Sequence, residues 1–368
     1  MKSPLKICMI AHPYGEKEPG GLGRAIFEMV KGIISRDRVN FYTIYAKGTL
    51  AQKPNLPGNN WEFKTINSKF LWLTGALAID PTFDLYIFFT PVVPLFLNPK
   101  KSIVVAMDFA YLDLPSKTIA YRLSSLVLYF LNARSFRLAN QIVAISHETK
   151  RSMIRHFGTN EKKIKVIHMG FIPSSHIEKS TSTPEFFFFF TGILKPRKNI
   201  SGIIRAFAMF LKNTRENYHL LIAGKGKGGA HHKYLVTLAE ELGISDKVTF
   251  IGYVSDPELA YLYKKARAFV FPSFIEGFGM PILEAMEAGL SVITSNTGAL
   301  AEVAGDAAIL VNPDKPAEIS EAMAKIVASD ELRESLRNKG FKRIRQFTWE
   351  DTSRKFLAII DQLKHDND

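Results

Sequence analysis

The strongest constraint on the fold of this chain is a repeated alternation between short apolar runs and stretches with helical periodicity. Fully apolar runs suit strands buried on both faces, as in a parallel sheet covered by helices. The run at residues 186–191, FFFFFT, is the clearest case. We therefore predict an α/β fold built on parallel sheets. The predicted strands cover residues 5–11, 41–46, 85–89, 102–106, 141–145, 165–168, 186–191, 219–223, 248–251, 268–271, 291–295 and 308–311.

The alternation stops once, at residues 171–184, which are rich in serine, threonine and proline. A chain of 368 residues is long enough for about two domains. We predict that residues 171–184 are a linker between two doubly wound, Rossmann-like domains, at residues 1–170 and 185–348. For two facing domains of this kind, the ligand site is expected in the cleft between them.

The net charge of +13 is concentrated in the first half of the chain, because residues 1–170 contribute 23 basic and 11 acidic side chains. A one-sided basic surface favours anionic partners such as membrane lipids, and a generally basic proteome is the alternative explanation. No nucleic-acid-binding motif is found, so we expect no nucleic-acid partner. The single cysteine, Cys8, fits a reducing compartment. We expect a cytoplasmic protein that associates peripherally with the inner face of the plasma membrane through its basic first domain.

Residues 271–289, FPSFIEGFGMPILEAMEAG, place two carboxylates around a glycine-rich turn. Glu276 precedes the turn, and Glu284 lies one turn inside a helix that begins at Met280-Pro281. Proline suits the first helical turn, and the N–H groups at a helix N-terminus favour an anion or sugar hydroxyls. Because core packing explains two acidic side chains poorly here, we predict a binding site.

Two glycine-rich loops follow predicted strands. Gly20 and Gly21 lie in the loop PGGLG at residues 19–23, where the backbone can approach a pyrophosphate; a plain turn is the alternative. The loop GKGKGG at residues 224–229 matches a dinucleotide-binding pattern only weakly. We interpret it as a basic loop that faces the cleft, with Lys225 near the ligand; a solvated turn is the alternative.

Residues 195–199, KPRKN, follow the phenylalanine-rich strand and precede a helix. Arg197 and Lys198 are therefore expected at the carboxyl end of a strand, where such folds bind phosphate. We expect Asn199 or Ser201 to cap the helix that follows.

Asp108 follows the apolar strand at residues 102–106 and begins an aromatic loop. A carboxylate at a strand end can bind a polar ligand, and a turn or cap is the alternative. The nine histidines show no metal-binding spacing, so no metal site is predicted.

Together these motifs resemble those of the retaining glycosyltransferases of the large bacterial family four, which have the B-type fold of two facing Rossmann-like domains. Residues 271–313 are similar to the family's Glu-seven-Glu signature, and residues 186–207 to its phosphate segment. The resemblance extends over essentially the whole chain. It implies that the last helix, at residues 349–365, crosses back onto the first domain. The sub-group that the chain resembles includes mannosyltransferases of bacterial surface-polysaccharide synthesis.

The resemblance implies a role for each acidic residue of the signature. Glu284 would accept hydrogen bonds from the ribose hydroxyls of the nucleotide, and Glu276 would face the donor sugar near the reacting centre. The backbone N–H groups of Phe278, Gly279 and Met280 would hold sugar hydroxyls and the diphosphate.

It also implies how the leaving group is bound. Lys198, with Arg197, would neutralise the diphosphate as it departs, and Gly21 would let the first domain's loop approach the same phosphates. Val254, with Tyr253, would lie beside the base.

Two positions depart from the family pattern. Ile193 stands where the phosphate segment often has arginine, so Lys198 and Arg197 carry more of that charge. Met107 stands where the family usually has histidine before the aspartate at Asp108. Methionine cannot donate a hydrogen bond, so the contact with the donor sugar must differ.

We therefore expect a retaining, metal-independent hexosyltransferase that moves a sugar, with mannose favoured, from a nucleotide diphosphate to a glycan or lipid-linked acceptor. GDP-mannose is the leading donor and UDP-glucose the alternative, and no separate cofactor is expected. The departing diphosphate needs preorganised donors and cations, which Lys198 and a helix dipole can supply without a divalent ion. A non-catalytic nucleotide-sugar-binding homologue is a second hypothesis, motivated by Met107. A sugar-nucleotide epimerase on the same fold is a third, disfavoured by the transferase-like signature.

Overall fold

The computed structural model describes residues 4–11, 21–47, 55–66, 79–113, 118–173 and 183–365. The chain forms two compact units, unit 1 from residues 1–170 and 347–368, and unit 2 from residues 171–346. Of the predicted linker, residues 174–182 lie outside the described residues.

Unit 1 is built on a seven-stranded parallel sheet. Its strands are β1 (Lys6–Ile10), β2 (Phe41–Lys47), β3 (Trp61–Ile66), β4 (Leu85–Phe88), β5 (Ser102–Ala106), β6 (Gln141–Ala144) and β7 (Ile164–Val166). Its helices are α1 (Gly21–Arg36), α2 (Ala110–Asp113), α3 (Ile119–Leu138), α4 (His147–Phe157) and α12 (Trp349–His365). The strand order is β3-β2-β1-β4-β5-β6-β7, with every pairing parallel.

Strand β3 was not predicted, because it lacks the apolar run that marks the other strands. It pairs with β2 at the edge of the sheet, and its Glu62 and Lys64 form an ion pair at 2.7 Å. Glu62 also accepts a 2.8 Å hydrogen bond from the hydroxyl of Thr43 on β2. An edge strand needs only partial burial, so polar side chains are tolerated there.

Helix α12 packs against α1 within unit 1. A Cβ atom on Gly32 of α1 would lie 2.1 Å from Oγ of Ser353, so a larger residue there would displace the Ser353 hydroxyl. The Ser353 hydroxyl donates a 2.5 Å hydrogen bond to the carbonyl oxygen of Trp349, one turn earlier in α12. Farther along α12, the ring of Phe356 stacks on Phe89 with 6.2 Å between centroids. The last helix is therefore part of the core of unit 1.

Unit 2 is built on a six-stranded parallel sheet in the order β10-β9-β8-β11-β12-β13. Its strands are β8 (Phe186–Thr191), β9 (Tyr218–Ala223), β10 (Val248–Gly252), β11 (Ala268–Phe271), β12 (Val292–Ser295) and β13 (Ile309–Val311). Its helices are α5 (Ile200–Leu211), α6 (Ala230–Glu241), α7 (Asp256–Lys265), α8 (Met280–Glu287), α9 (Gly298–Ala304), α10 (Pro316–Ala328) and α11 (Asp330–Ile344).

The phenylalanine-rich strand is central, as predicted. β8 pairs with β9 on one side and β11 on the other, and the side chains of Phe187, Phe188, Phe189 and Phe190 are fully buried. Burial of both faces explains why the sequence of β8 has no polar alternation. The prediction of two α/β units on parallel sheets is confirmed.

The order of strands fixes where unit 2 can bind a ligand. From β8 the chain adds β9 and β10 on one side, and it then returns to place β11 on the other side. The loops after β8 and β11 therefore leave neighbouring strands in opposite directions and open a crevice at the carboxyl edge. Such topological switch points are the usual ligand sites of open α/β sheets.

Candidate functional site

Three charged side chains meet at the switch point of unit 2. Glu276, in the loop after β11, accepts a 2.6 Å hydrogen bond from Nζ of Lys198 and a 3.1 Å bond from Nη1 of Arg197. The Lys198 and Glu276 side chains are only 11% and 10% exposed. The ammonium of Lys198 also lies 4.8 Å from the centroid of the Phe271 ring. The structure thus brings together three of the predicted site residues, with a net charge of +1.

The backbone fixes the two loops that carry this group. The amide of Phe274 donates a 2.9 Å hydrogen bond to the carbonyl oxygen of Arg197. In return, the Arg197 guanidinium donates a 2.8 Å hydrogen bond to the carbonyl oxygen of Ile275. Lys198 ends a short 3-10 turn, Pro196–Lys198, that leads into α5. Hydrogen bonds between the two loops therefore fix the positions of the three charged side chains, which suits the preorganised binding of an anion.

Asn199 corrects one expectation. It occupies the N-cap position of α5, but its side chain makes no capping hydrogen bond. Its amide nitrogen instead donates to the carbonyl oxygens of Pro272, at 3.1 Å, and Pro313, at 2.6 Å. The residue has φ of 55°, the left-handed conformation that asparagine tolerates better than most residues. Asn199 thus joins the loops after β8, β11 and β13 instead of closing the helix.

The glycine-rich turn leads directly into α8. Gly279 has φ of 120°, and a Cβ atom there would lie 2.8 Å from a methyl group of Leu300. α8 begins at Met280, with Pro281 in its first turn, as predicted, while Phe278 is buried. Pro281 has no N–H group and the Ile282 amide donates a 2.9 Å hydrogen bond to the Gly279 carbonyl oxygen, so the start of α8 offers an anion or hydroxyl group the Met280 amide and the positive end of the helix dipole.

Glu284 is held by a residue that the sequence analysis did not identify. The phenol of Tyr263, on α7, donates a 2.9 Å hydrogen bond to Oε2 of Glu284. Tyr263 is buried between the rings of Phe189 and Phe269, with centroids 5.3 and 5.2 Å away. Burial and the adjacent Glu284 charge raise the pKa of Tyr263 well above its ordinary value, so the phenol remains a donor. A tyrosine in an otherwise amphipathic helix gave no specific signal in the sequence.

Glycines crowd the carboxyl ends of three strands. A Cβ atom on Gly224, after β9, would lie 1.9 Å from the carbonyl oxygen of Gly192, after β8. The amide of Gly224 donates a 2.6 Å hydrogen bond to the carbonyl oxygen of Gly252, at the end of β10. All three have positive φ. These glycines let three loops meet with no side chain between them.

The loops after β9 and β10 also bring together residues expected near a base. Nζ of Lys225 lies 5.2 Å from the ring centroid of Tyr253, a cation–π contact. Val254, next in the chain, is half-buried. A flat aromatic ring and a cation at a strand edge offer stacking and charge to a planar, anionic ligand.

Three of the predicted site residues belong to unit 1. Gly20 lies outside the described residues, and Gly21 is the first residue of α1, with open space where a Cβ atom would stand. Asp108 is exposed after β5 and accepts a 3.3 Å hydrogen bond from the amide of Ala110, as a turn carboxylate does. The functional roles of Gly20, Gly21 and Asp108 stay predictions.

Part of the chain is similar to a known protein family. Residues 173–343 match the family model described as "Glycosyl transferases group 1". The chain is 34% identical over 223 residues to O-antigen chain mannosyltransferase B of Escherichia coli, covering 58% of each chain. It is 31% identical over 238 residues to O-antigen chain mannosyltransferase RfbU of Salmonella typhimurium, covering 64% of this chain and 62% of that protein. The matches thus span less than two thirds of these relatives.

Solved structures of similar shape cover nearly the whole chain. Sucrose-phosphate synthase from Thermosynechococcus elongatus has a TM-score of 0.78 at 18% identity, over 98% of this chain and 99% of that one. Anabaena HepE, solved with UDP and glucose, has a TM-score of 0.72 at 17% identity, over 97% and 99%. At such identities the likeness establishes the fold alone, and it is the fold that the sequence predicted.

Proposed function

We propose that the protein is a hexosyltransferase, because residues 173–343 match the family model described as glycosyl transferases group 1 and the chain has the B-type glycosyltransferase fold. It transfers mannose from a nucleotide diphosphate to a glycan or lipid-linked acceptor in surface-polysaccharide synthesis. The names of the two O-antigen mannosyltransferases support the choice of sugar and pathway. The observation that carries the proposal is the Arg197–Lys198–Glu276 group at the switch point.

Lys198 and Arg197 neutralise the leaving diphosphate. Charge-assisted hydrogen bonds to phosphate are among the strongest that side chains make, and both cations lie where β8 ends. Before the donor binds, Glu276 holds them in place. When the diphosphate arrives, the cations gain a second anionic partner, and the start of α8 adds a positive partial charge. No divalent ion is needed in this arrangement.

Glu276 contacts the donor sugar instead of attacking it. Each of its two carboxylate oxygens accepts a hydrogen bond from a cation, Oε1 from Lys198 and Oε2 from Arg197. A carboxylate held in this way is a positioned hydrogen-bond acceptor for a sugar hydroxyl. We propose that transfer occurs with retention, as the resemblance to the family implies, and on one face of the sugar, where the leaving group departs and the acceptor attacks.

The nucleotide binds along the same edge. Glu284, oriented by Tyr263, accepts hydrogen bonds from the ribose hydroxyls. Lys225, Tyr253 and Val254 lie beside the base. GDP-mannose is the favoured donor, with UDP-glucose the alternative.

One observation supports a second candidate, a homologue that binds the nucleotide sugar without transferring it. Met107 precedes Asp108 where a histidine donor is usual in the family. In the structure the carbonyl oxygen of Met107 accepts a 3.0 Å hydrogen bond from Thr149, while its thioether can donate none. A transferase that keeps methionine here must stabilise the donor sugar by other contacts.

The test is isothermal titration of the whole protein with GDP and UDP in the presence of a chelator. We expect GDP to bind more tightly than UDP, and Lys198→Met to weaken binding far more than Lys195→Met, an exposed neighbour. If neither nucleotide binds, the proposal is wrong. Release of GDP from GDP-mannose in the presence of membrane-extracted acceptors then separates the two candidates. A protein that binds GDP-mannose without releasing GDP, and that releases it once Met107→His is introduced, is the non-catalytic homologue.

A further inference from the structure

Helix α3 of unit 1 carries an unusual line of exposed apolar side chains. Between 51% and 86% of each side chain is exposed. Their spacing of four, three, one and three residues places them on one face of a helix. We call this line the apolar stripe, and it consists of Ile119, Leu123, Leu126, Val127 and Phe130.

The C-terminal half of α3 packs into the core of unit 1, so the helix that carries the apolar stripe has a fixed position in that unit. Asn132, Ser135 and Phe136 are buried. The ring of Phe136 packs edge-on against Phe109 and Phe157, with centroids 5.8 and 5.1 Å away. The helix is thus committed to the core at its C-terminal end, while its first three turns project apolar surface into solvent.

A neighbouring loop extends the apolar surface. The guanidinium of Arg134 donates hydrogen bonds of 2.9–3.3 Å to four carbonyl oxygens within residues 93–97. Arg134 follows Phe130 by one turn on the same face. In this loop Leu95 and Phe96 are exposed, Phe96 by 71%. Arg134 therefore ties the backbone of the loop that carries Leu95 and Phe96 to the same helix as the stripe.

The charged side chains of α3 and of the neighbouring loop are of one sign. α3 contains three arginines and no acidic residue, and residues 93–101 contain two lysines and no acidic residue. Residues 1–170 as a whole carry a net charge of +12. A second protein with an apolar face would not require this excess of positive charge. An anionic lipid surface is complementary both to the apolar stripe and to the positive charge.

We propose that the apolar stripe, with Leu95 and Phe96, inserts into the interfacial region of an anionic bilayer. The inference deepens the proposed function, since it names the element that would bring the enzyme to a lipid-linked acceptor. From Ile119 to Phe130 the stripe runs about 17 Å at 1.5 Å per residue, and it lies along the membrane plane. None of the helices within the described residues is long and apolar enough to span a bilayer.

Insertion and simple electrostatic attachment differ in their response to salt. Contacts between exposed charges are screened as ionic strength rises, while burial of apolar surface in lipid persists. We therefore expect binding to weaken with salt but to retain a component that salt does not remove.

The experiment is co-sedimentation of the full chain with vesicles of phosphatidylcholine and phosphatidylglycerol in equal parts, and with pure phosphatidylcholine. We expect Leu123→Gln/Phe130→Gln to lower the partition coefficient about tenfold or more, since two large apolar side chains no longer leave water. Val39→Gln, which changes an equally exposed apolar residue elsewhere in unit 1, should have no effect. The fluorescence of Leu126→Trp, compared with that of the wild type, should gain a component that shifts to the blue when vesicles are added.

Three results would overturn the inference. One is that Arg122→Gln/Arg137→Gln loses vesicle binding while Leu123→Gln/Phe130→Gln keeps it, which would indicate electrostatic attachment alone. Another is a lipid-free dimer that Leu123→Gln/Phe130→Gln dissociates in sedimentation analysis, which would make a second copy the occupant. The third is equal binding by all variants. GDP binding without lipid should be unchanged in Leu123→Gln/Phe130→Gln, so failure of the donor site is measured separately.

Discussion

The buried phenol of Tyr263 and the carboxylate of Glu284 form a 2.9 Å hydrogen bond that joins α7 to α8. We predict that Tyr263→Phe raises the KM for the donor about fivefold, the effect of losing one hydrogen bond worth about 1 kcal/mol, with little change in kcat. Tyr261→Phe, two residues earlier and half-buried, is the matched control. Equal kinetics for both variants would mean that Tyr263 does not position Glu284. Because the pKa of Tyr263 is raised, the difference should not depend on pH up to 10.

The second prediction concerns the ion pairs of Glu276. Lys198→Met should reduce affinity for a nucleoside diphosphate by about 10- to 100-fold, since a charge-assisted hydrogen bond contributes roughly 1.5–3 kcal/mol. Affinity for the corresponding nucleoside should change little, because it has no phosphate. Titration with both ligands checks this, and a parallel loss for nucleoside and diphosphate would place Lys198 away from the phosphates.

A third prediction tests the crowded strand ends. Gly224→Ala should lower the free energy of unfolding by about 3 kcal/mol or more, because the new Cβ atom would meet the Gly192 carbonyl in a backbone conformation with φ of 133°. Gly228→Ala, with φ of 86° but open space around it, should cost only about 1 kcal/mol. Urea unfolding followed by circular dichroism measures both. Similar losses would show that conformation, and not contact, dominates at Gly224.

The fourth prediction is a pH dependence in unit 1. Burial tends to raise the pKa of Asp37, but hydrogen bonds from the Tyr42 hydroxyl, at 2.5 Å, and from Asn40 and the Val39 amide outweigh it and lower the pKa below 3.8. Because the pKa of Asp37 is lower in the folded state than in the unfolded state, its ionised carboxylate stabilises the fold at pH values above the unfolded-state pKa. This stabilisation is lost as the pH falls through the folded-state pKa. Asp37→Asn should therefore cost about 1–3 kcal/mol at neutral pH.

That difference between the wild type and Asp37→Asn should shrink as pH falls below about 4. Urea unfolding at neutral pH and at pH near 3 measures it. Asp314→Asn, at an exposed position, is the control for loss of a charge alone. A difference that stays constant across this range would exclude Asp37 as the titrating group.

Local patterns predicted the framework of the site. The apolar runs located β8 and β11, and the Gly-rich turn with Met280-Pro281 located the start of α8. The sequence could also place Lys198 and Glu276 at strand ends, because both follow the strands directly. Their contact depends on the sheet order, which puts β8 beside β11 although about 80 residues separate them.

What the sequence could not predict depends on contacts between distant elements. Tyr263 was missed because its partner Glu284 lies on another helix, and α7 has no motif that specifies it. The capping role expected of Asn199 was wrong, since its backbone is left-handed and its amide nitrogen donates to the carbonyl oxygens of Pro272 and Pro313. β3 was missed because an edge strand needs no continuous apolar run.

The packing of α12 against α1 has a consequence for biosynthesis. Unit 2 is one continuous stretch, whereas unit 1 includes residues from both sides of it. During synthesis at about 5–20 residues per second, the face of α1 around Gly32 waits roughly 15–65 s for Ser353 and its neighbours to be synthesised. Unit 2 can complete its fold in that interval. The order of completion in the cell is therefore the reverse of the order in which the two units begin.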